Sequence, residues 1–264
     1  MKKHTAVLIC LILLSLAAIF PTMAAEKTKL PVPQSVMNIT KENTYHNRSG
    51  DSPELQPSEL TQKLLDNSKV SIENSELIKL LNETSVNSTP FALGYRAIVY
   101  LGEWPLNYQS AETAPNWKFQ KINTNYFDNR GGDQLYKMHY VQEQQAAVKG
   151  GLTAKVPRAE SVQNMILSQA VKKTGLPLEN DATVGAGTKL DQLYHVPPSS
   201  LGYLYAYVPA IHEKGKVTYG EVYLMLKGNK KFLVVKNVAS QEIGAWIPLK
   251  NHVSFEFLQS KVPR

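Results

Sequence analysis

Apolar and polar residues divide this chain into three stretches of different character. Ala6 to Phe20 is apolar apart from Ser15. From Glu26 to about Gln56 bulky apolar residues are sparse, Pro, Ser, Asn, Thr and charge prevail, and neither helical nor strand periodicity shows. This stretch, residues 25–57, is expected to be a flexible polar arm. Amphipathic patterns begin at Ser58, which is positioned to cap a helix over 59–67 carrying Leu60, Leu64 and Leu65. Asn74 or Ser75 is positioned to cap a second helix over 76–82, with Leu77, Ile78, Leu80 and Leu81 on it. Helices this short need a larger partner to pack on, and a sheet supplies one.

The sheet signal opens with a long strand over 91–101, where Phe91, Leu93, Tyr95, Ala97, Val99 and Leu101 share a face. Further strands are predicted over 117–126 and 134–145, on either side of the turn-rich stretch Asp128 to Asp133, and over 152–156 after Gly150-Gly151. A helix over 159–173 carries Val162, Met165, Ile166 and Ala170 on one stripe and is stopped by Gly175 and Pro177. Near the C-terminus, strands over 201–208 and 218–227 are expected to pair across a turn at Lys214-Gly215-Lys216. A second turn at Gly228-Asn229 then returns 230–236, setting Glu221 against Lys236, Tyr223 against Val234 and Leu224 against Leu233. In this meander Tyr207 opposes Tyr219, Tyr205 opposes Glu221 and Tyr203 opposes Tyr223. Tyr203, Tyr207, Tyr219, Glu221 and Tyr223 therefore share one surface, the candidate binding face. Tyrosines so placed either stack on sugar rings or simply brace the sheet.

The N-terminus changes the picture of where the chain works. Met1-Lys2-Lys3-His4 is a short basic lead, the apolar run follows, and Pro21 and Thr22-Met23-Ala24-Ala25 offer a small-residue cleavage site after Ala24. Residues 1–24 read as a signal peptide. The rival reading, a transmembrane anchor, is disfavoured because fifteen apolar residues fall short of the roughly 20 a span needs. No stable transmembrane segment is expected after cleavage. Cys10, the only cysteine, leaves with the signal, which excludes disulfides, thiolate metal sites and a thiol nucleophile from the exported body. Loss of Lys2 and Lys3 leaves 27 basic against 22 acidic residues. That mild excess suits an anionic cell-wall polymer or an envelope protein as partner and gives no reason to invoke nucleic acid.

Motifs for chemistry are weak. No serine sits in a G-x-S-x-G elbow, and His139, His195, His212 and His252 lack companions at metal-ligand spacing, so no metal or cofactor is expected. Gly185-Ala186-Gly187-Thr188 resembles half of a phosphate loop without its structural setting and reads as a flexible loop; Asp128 to Asp133 lacks the ligand pattern of a calcium loop. Two carboxylates merit naming for glycan hydrolysis, Glu103 beside Trp104 and Glu221 among tyrosines.

The segment Phe91-Ala92-Leu93-Gly94-Tyr95-Arg96-Ala97-Ile98-Val99-Tyr100-Leu101-Gly102-Glu103-Trp104-Pro105-Leu106, with the leader, the polar arm and the tyrosine-rich C-terminal strands, is similar to the YfkD-like family of exported bacillar proteins. The resemblance spans nearly the whole chain. It implies an extracytoplasmic protein and carries over no catalytic residue. The expected architecture is a single α+β domain over 58–264, a largely antiparallel sheet with a few helices packed on one side. The expected function is a non-enzymatic binding or structural role in the envelope or outside the cell. The alternative is a wall glycan hydrolase using Glu103 or Glu221.

Overall fold

The computed structural model describes residues 30–47, 55–84, 96–228 and 230–264. The expected signal segment with its expected cleavage site at Ala24, and Phe91 to Tyr95 at the start of the first expected strand, lie outside the described residues.

The expected helices form where their caps place them. Helix α1 (Glu59–Asp66) begins at Ser58, whose side chain accepts from the Thr61 amide. Helix α2 (Ser75–Glu83) begins at Asn74, whose side-chain oxygen accepts from the Glu76 and Leu77 amides. Helix α3 (Ala159–Thr174) has Lys172 and Lys173 in its last turn and ends at Gly175, which takes the left-handed conformation that stops a helix (φ 68°).

Strands dominate the rest. In chain order they are β1 (Val36–Asn38), β2 (Arg96–Asp128), β3 (Tyr136–Val141), β4 (Ala146–Lys149), β5 (Gly151–Leu152), β6 (Asp181–Val184), β7 (Lys189–Val196), β8 (Leu201–Lys227), β9 (Lys230–Pro248) and β10 (His252–Ser260). All pairings are antiparallel: a six-stranded sheet in the order β1-β10-β8-β9-β5 with β2 along β8, and the two-stranded sheets β3-β7 and β4-β6. Strand β1 lies inside the stretch expected to be a polar arm, and Ile39 just after it is fully buried.

Strands 201–208 and 218–227, expected to form a hairpin, are instead parts of the single 27-residue strand β8. Lys214-Gly215-Lys216 stays extended because both of its edges are taken: Gly215 lies opposite Ser110 of β2 and Ile243 of β9. A turn there would leave those ladder groups unpaired. The second hairpin forms as expected, with Glu221 against Lys236, Tyr223 against Val234 and Leu224 against Leu233.

Side-chain parity along β8 explains how the helices are distributed. Leu204, Ala206 and Val208 are buried in a cluster with Ile39, Tyr140, Val148 and Phe255. Further along the odd side is buried: Ile211, Val217 and Tyr219 pack with Val162, Met165 and Ile166 of α3. Beyond that the even side is buried again, with Val222 and Leu224 against Leu64 of α1 and Leu77 and Leu81 of α2. Successive strand residues point to opposite faces, so α3 covers one face of the strand and α1 with α2 the other.

The expected α+β architecture with helices on one side is therefore wrong. Among the described residues the fold is mostly β, 54% strand and 15% helix. Its short helices plug separate stretches of a long ribbon, and they do so on both faces. Sequence periodicity marked the helices correctly, but it broke β2 and β8 at residues that turn readily; β8 is held there by neighbours on both edges and β2 by its ladder with β8.

Candidate functional site

The five residues of the candidate binding face lie on one strand and have one parity, yet they do not share a surface. At about 3.3 Å per residue, Tyr207 and Tyr219 are roughly 40 Å apart along β8. Tyr219 is buried, its hydroxyl donating to the Pro157 carbonyl at 3.1 Å in the cluster beneath α3. Tyr203 and Tyr207 belong to the β2-β8-β10 end, Glu221 and Tyr223 to the β2-β8-β9 end.

At the first end an ordered aromatic strip forms. Tyr126 of β2 lies opposite Tyr203, their ring centroids 5.0 Å apart, and Tyr203 is stacked with Tyr205 at 6.2 Å and 14°. The Lys121 ammonium lies over the Tyr205 ring at 5.2 Å and that of Lys118 over the Tyr207 ring at 6.0 Å. Lys118 is also paired with Glu256 of β10 at 2.7 Å, and the Tyr207 hydroxyl donates to Glu256 at 3.2 Å. The hydrogen bond from Lys118 holds the Glu256 carboxyl below its usual range, while burial, then Glu256, raises Tyr207. The Arg264 amide donates to the Tyr203 hydroxyl at 3.0 Å. Tyr203 is thereby fixed and largely covered, whereas Tyr126 is 50% exposed. Because the even-numbered residues of this stretch fill the core, the tyrosines face outwards. The strip presents ring faces with ammonium groups above them, an arrangement suited to a ligand with flat sugar faces and anionic groups. Of these residues the sequence reading placed Tyr203, Tyr205 and Tyr207 on one face; Lys118, Lys121, Tyr126 and Glu256 required the register of β2 and β10.

At the other end, the two candidate carboxylates meet. Glu103 of β2 lies directly opposite Glu221 of β8. A bulge between Tyr100 and Gly102 precedes this pair, and Gly102 adopts φ 108°, a conformation that side chains disfavour. The Tyr223 hydroxyl donates to Glu221 at 2.7 Å; that bond, then Asn237, and then the charge of Lys236 lower the Glu221 pKa. The Glu103 carbonyl accepts from Arg158 at 2.9 Å, whose guanidinium stacks on Trp104 at 3.6 Å.

A groove of about 510 Å³ runs along the middle of the ribbon, lined among others by Glu112, His212, Lys214, Lys216 and Glu242. Its charges are satisfied internally, Lys214 with Glu112 at 3.0 Å and Lys216 with Glu242 at 3.8 Å, and the His212 ring is stacked on Trp246 at 4.2 Å. Burial, then Lys214, lowers the His212 pKa.

The glycine-rich stretch at 185–188 is a tight turn closed by the N-terminal segment. The Gly185 amide donates to Asn43 Oδ1 at 3.0 Å, and a Cβ on Gly185 would collide with Thr44. Asp128 is taken by Arg130 at 2.7 Å, which holds its pKa down at about 2. Among the described residues no group of three or more His, Cys, Asp or Glu side chains is placed to hold a metal ion. Among those same residues no helix is long and apolar enough to cross a membrane.

A family model described as YfkD-like protein matches residues 33–264. A Bacillus subtilis (strain 168) protein named uncharacterized protein YfkD is 58% identical over 263 residues, covering 100% of this chain and 99% of that one. Among solved structures, a lamprey immune protein aligns with 62% of this chain and 53% of its own length at 8% identity and a TM-score of 0.24. An aerolysin-like protein from Bombina maxima aligns with 63% of this chain and 99% of its own at 11% identity and a TM-score of 0.14. Likenesses that faint carry no argument about this chain.

Proposed function

We propose that this chain, which belongs to the YfkD-like family, is an exported, non-enzymatic envelope protein that binds an anionic cell-wall polymer on its tyrosine-lysine strip. The basic lead, apolar run and small-residue site ending at Ala24 support export. The observation that carries the binding reading is the strip itself: Tyr126, Tyr203, Tyr205 and Tyr207 in one row, with Lys118 and Lys121 over the last two rings. A polymer of alternating sugar and phosphate offers partners to both kinds of group.

The test is sedimentation of the chain with purified wall material before and after chemical stripping of its anionic polymer. The expected result is binding to intact wall that falls with added salt and is lost on stripping. Replacing Tyr205 by Ala should weaken binding about two- to tenfold, the equivalent of the 0.5–1.5 kcal/mol an aromatic contact contributes. Equal binding to stripped wall would remove the reading.

One observation favours a glycan hydrolase as second reading, the direct opposition of Glu103 and Glu221. Opposed residues in a sheet set their Cβ atoms about 4.5–5.5 Å apart, and retaining hydrolysis uses carboxyls about 5–5.5 Å apart. That chemistry also needs one carboxyl with a raised pKa to act as acid, in a cleft. Glu221 is shifted the other way, and Glu103 is exposed on a sheet face. Wall fragments released by the chain, and no longer released after Glu103→Gln or Glu221→Gln, would replace binding by hydrolysis.

A further inference from the structure

We propose that the outward face of the β2-β8-β9 tip is a second binding surface, independent of the tyrosine-lysine strip, which lies flat on an anionic lipid bilayer. The register builds this face row by row. Arg96, Lys227 and Lys230 lie side by side at the end of the ribbon; Ile98, Met225 and Phe232 form the next row, and Tyr100, Tyr223 and Val234 the one behind it. Glu103, Glu221 and Lys236 form the last row of the face.

Parity shows which way the rows point. Leu224 and Leu233, one residue out of step, are buried against α1 and α2, so the Met225 and Tyr223 rows are on the opposite side. The rows are open at their β2 side, where Ile98 is 61% and Tyr100 56% exposed, and half-buried at Met225, Tyr223, Phe232 and Val234; all three terminal cations are exposed. Two neighbouring rows of apolar and aromatic side chains on an open sheet face exceed the scattered apolar residues of an ordinary surface.

The order of the rows selects the occupant. Aliphatic side chains flanked by tyrosines and by cations on the same face match the interface of a bilayer, where rings sit at headgroup depth and ammonium groups reach phosphate. The same order sets the orientation. Entry with the end of the ribbon leading would bury Arg96, Lys227 and Lys230 in hydrocarbon, whereas lying flat lets these long side chains extend sideways to the headgroups.

The experiment is vesicle flotation of the purified chain, its N-terminus fixed by mass so that wild type and variants carry the same leader. The vesicles are phosphatidylcholine alone, or phosphatidylcholine with phosphatidylglycerol. The expected result is flotation with the phosphatidylglycerol vesicles that declines as salt shortens the Debye length. Lys227→Gln and Lys230→Gln should each lower partitioning about fivefold, as one cation at an anionic surface contributes. Ile98→Ser combined with Phe232→Ser should remove flotation while the urea midpoint of these variants stays within the range of exposed substitutions. Tyr205→Ala should leave flotation unchanged, which keeps this surface distinguishable from the wall-binding strip. Flotation equal in wild type and variants, or none with either vesicle, overturns the proposal. So does concentration-dependent dimerisation that Ile98→Ser abolishes, since it would give the face to a second copy of the chain.

Discussion

The buried carboxylate of Glu213 illustrates what a single side chain asks of its surroundings. Glu213 is wholly inaccessible on β8, accepts from Thr113 Oγ1 at 2.6 Å and faces the Tyr108 hydroxyl at 3.5 Å. Burial first, and the nearby carboxylate second, push the Tyr108 pKa far above its ordinary value. Thr113→Val keeps the shape and removes the stronger donor, so it should destabilise the chain by about 1–3 kcal/mol in urea unfolding. Glu256 shows the exposed counterpart. Its folded pKa is lowered by Lys118, so the pair contributes above the ordinary carboxylate range, and the contribution is lost as pH falls through the lowered folded value. The wild type should exceed Lys118→Met in stability near neutrality by about 0.2–1 kcal/mol, and the two should converge below that value; urea midpoints across pH 2 to 7 would check it. Single residues were legible in sequence where a local rule governed them. Glu221 against Lys236 followed from a two-strand turn, whereas Tyr219 had the correct parity and the wrong environment, because α3 packs over that stretch alone.

Secondary elements were legible to the degree that their signals are local. The caps at Ser58 and Asn74 and the stop at Gly175 fixed the helices, since each rests on a few neighbouring residues. Strands β2 and β8 were split because Lys214-Gly215-Lys216 and its counterparts have turn chemistry; pairing on both edges keeps β8 extended there, and the ladder with β8 keeps β2 extended. The candidate binding face fell with that error: the hairpin would have folded Tyr207 onto Tyr219, and the continuous strand separates them. Asn74 joins a helix to the ribbon, capping α2 with its oxygen while its Nδ2 donates to the Pro105 carbonyl at 2.7 Å. Asn74→Ala should cost about 2 kcal/mol, the sum of a lost cap and a buried carbonyl left without its donor. Asn74→Ser, which keeps a capping oxygen and loses the donor without adding a charge, should fall between wild type and Asn74→Ala in thermal or urea melts.

The molecule as a whole is joined by β8, which contributes to all three hydrophobic clusters. The N-terminal segment is part of this body. Ile39 is in the first cluster, and Asn43 reaches the Thr183 carbonyl at 2.9 Å, Asn251 at 3.0 Å and the Gly185 amide at 3.0 Å. Polar composition concealed this, because buried Val36, Ile39 and Asn43, the β1-β10 ladder and the Asn47 hydrogen bonds hold a segment that otherwise reads as linker. Ile39→Ala should cost about 2–5 kcal/mol, as for large-to-small core changes; chymotrypsin nicking after Tyr45 should accelerate in parallel.

The register of β2 on β8 sets Arg96 against Lys227 and Asp128 against Leu201. A chain that emerges N-terminus first, from a ribosome or through a translocase, exposes β2 long before its partner arrives. Closing such distant partners is slow. The late-arriving strand therefore acts as a timer: no rung of the 33-residue β2 can close until Leu201 has emerged, and its first residue, Arg96, waits for Lys227.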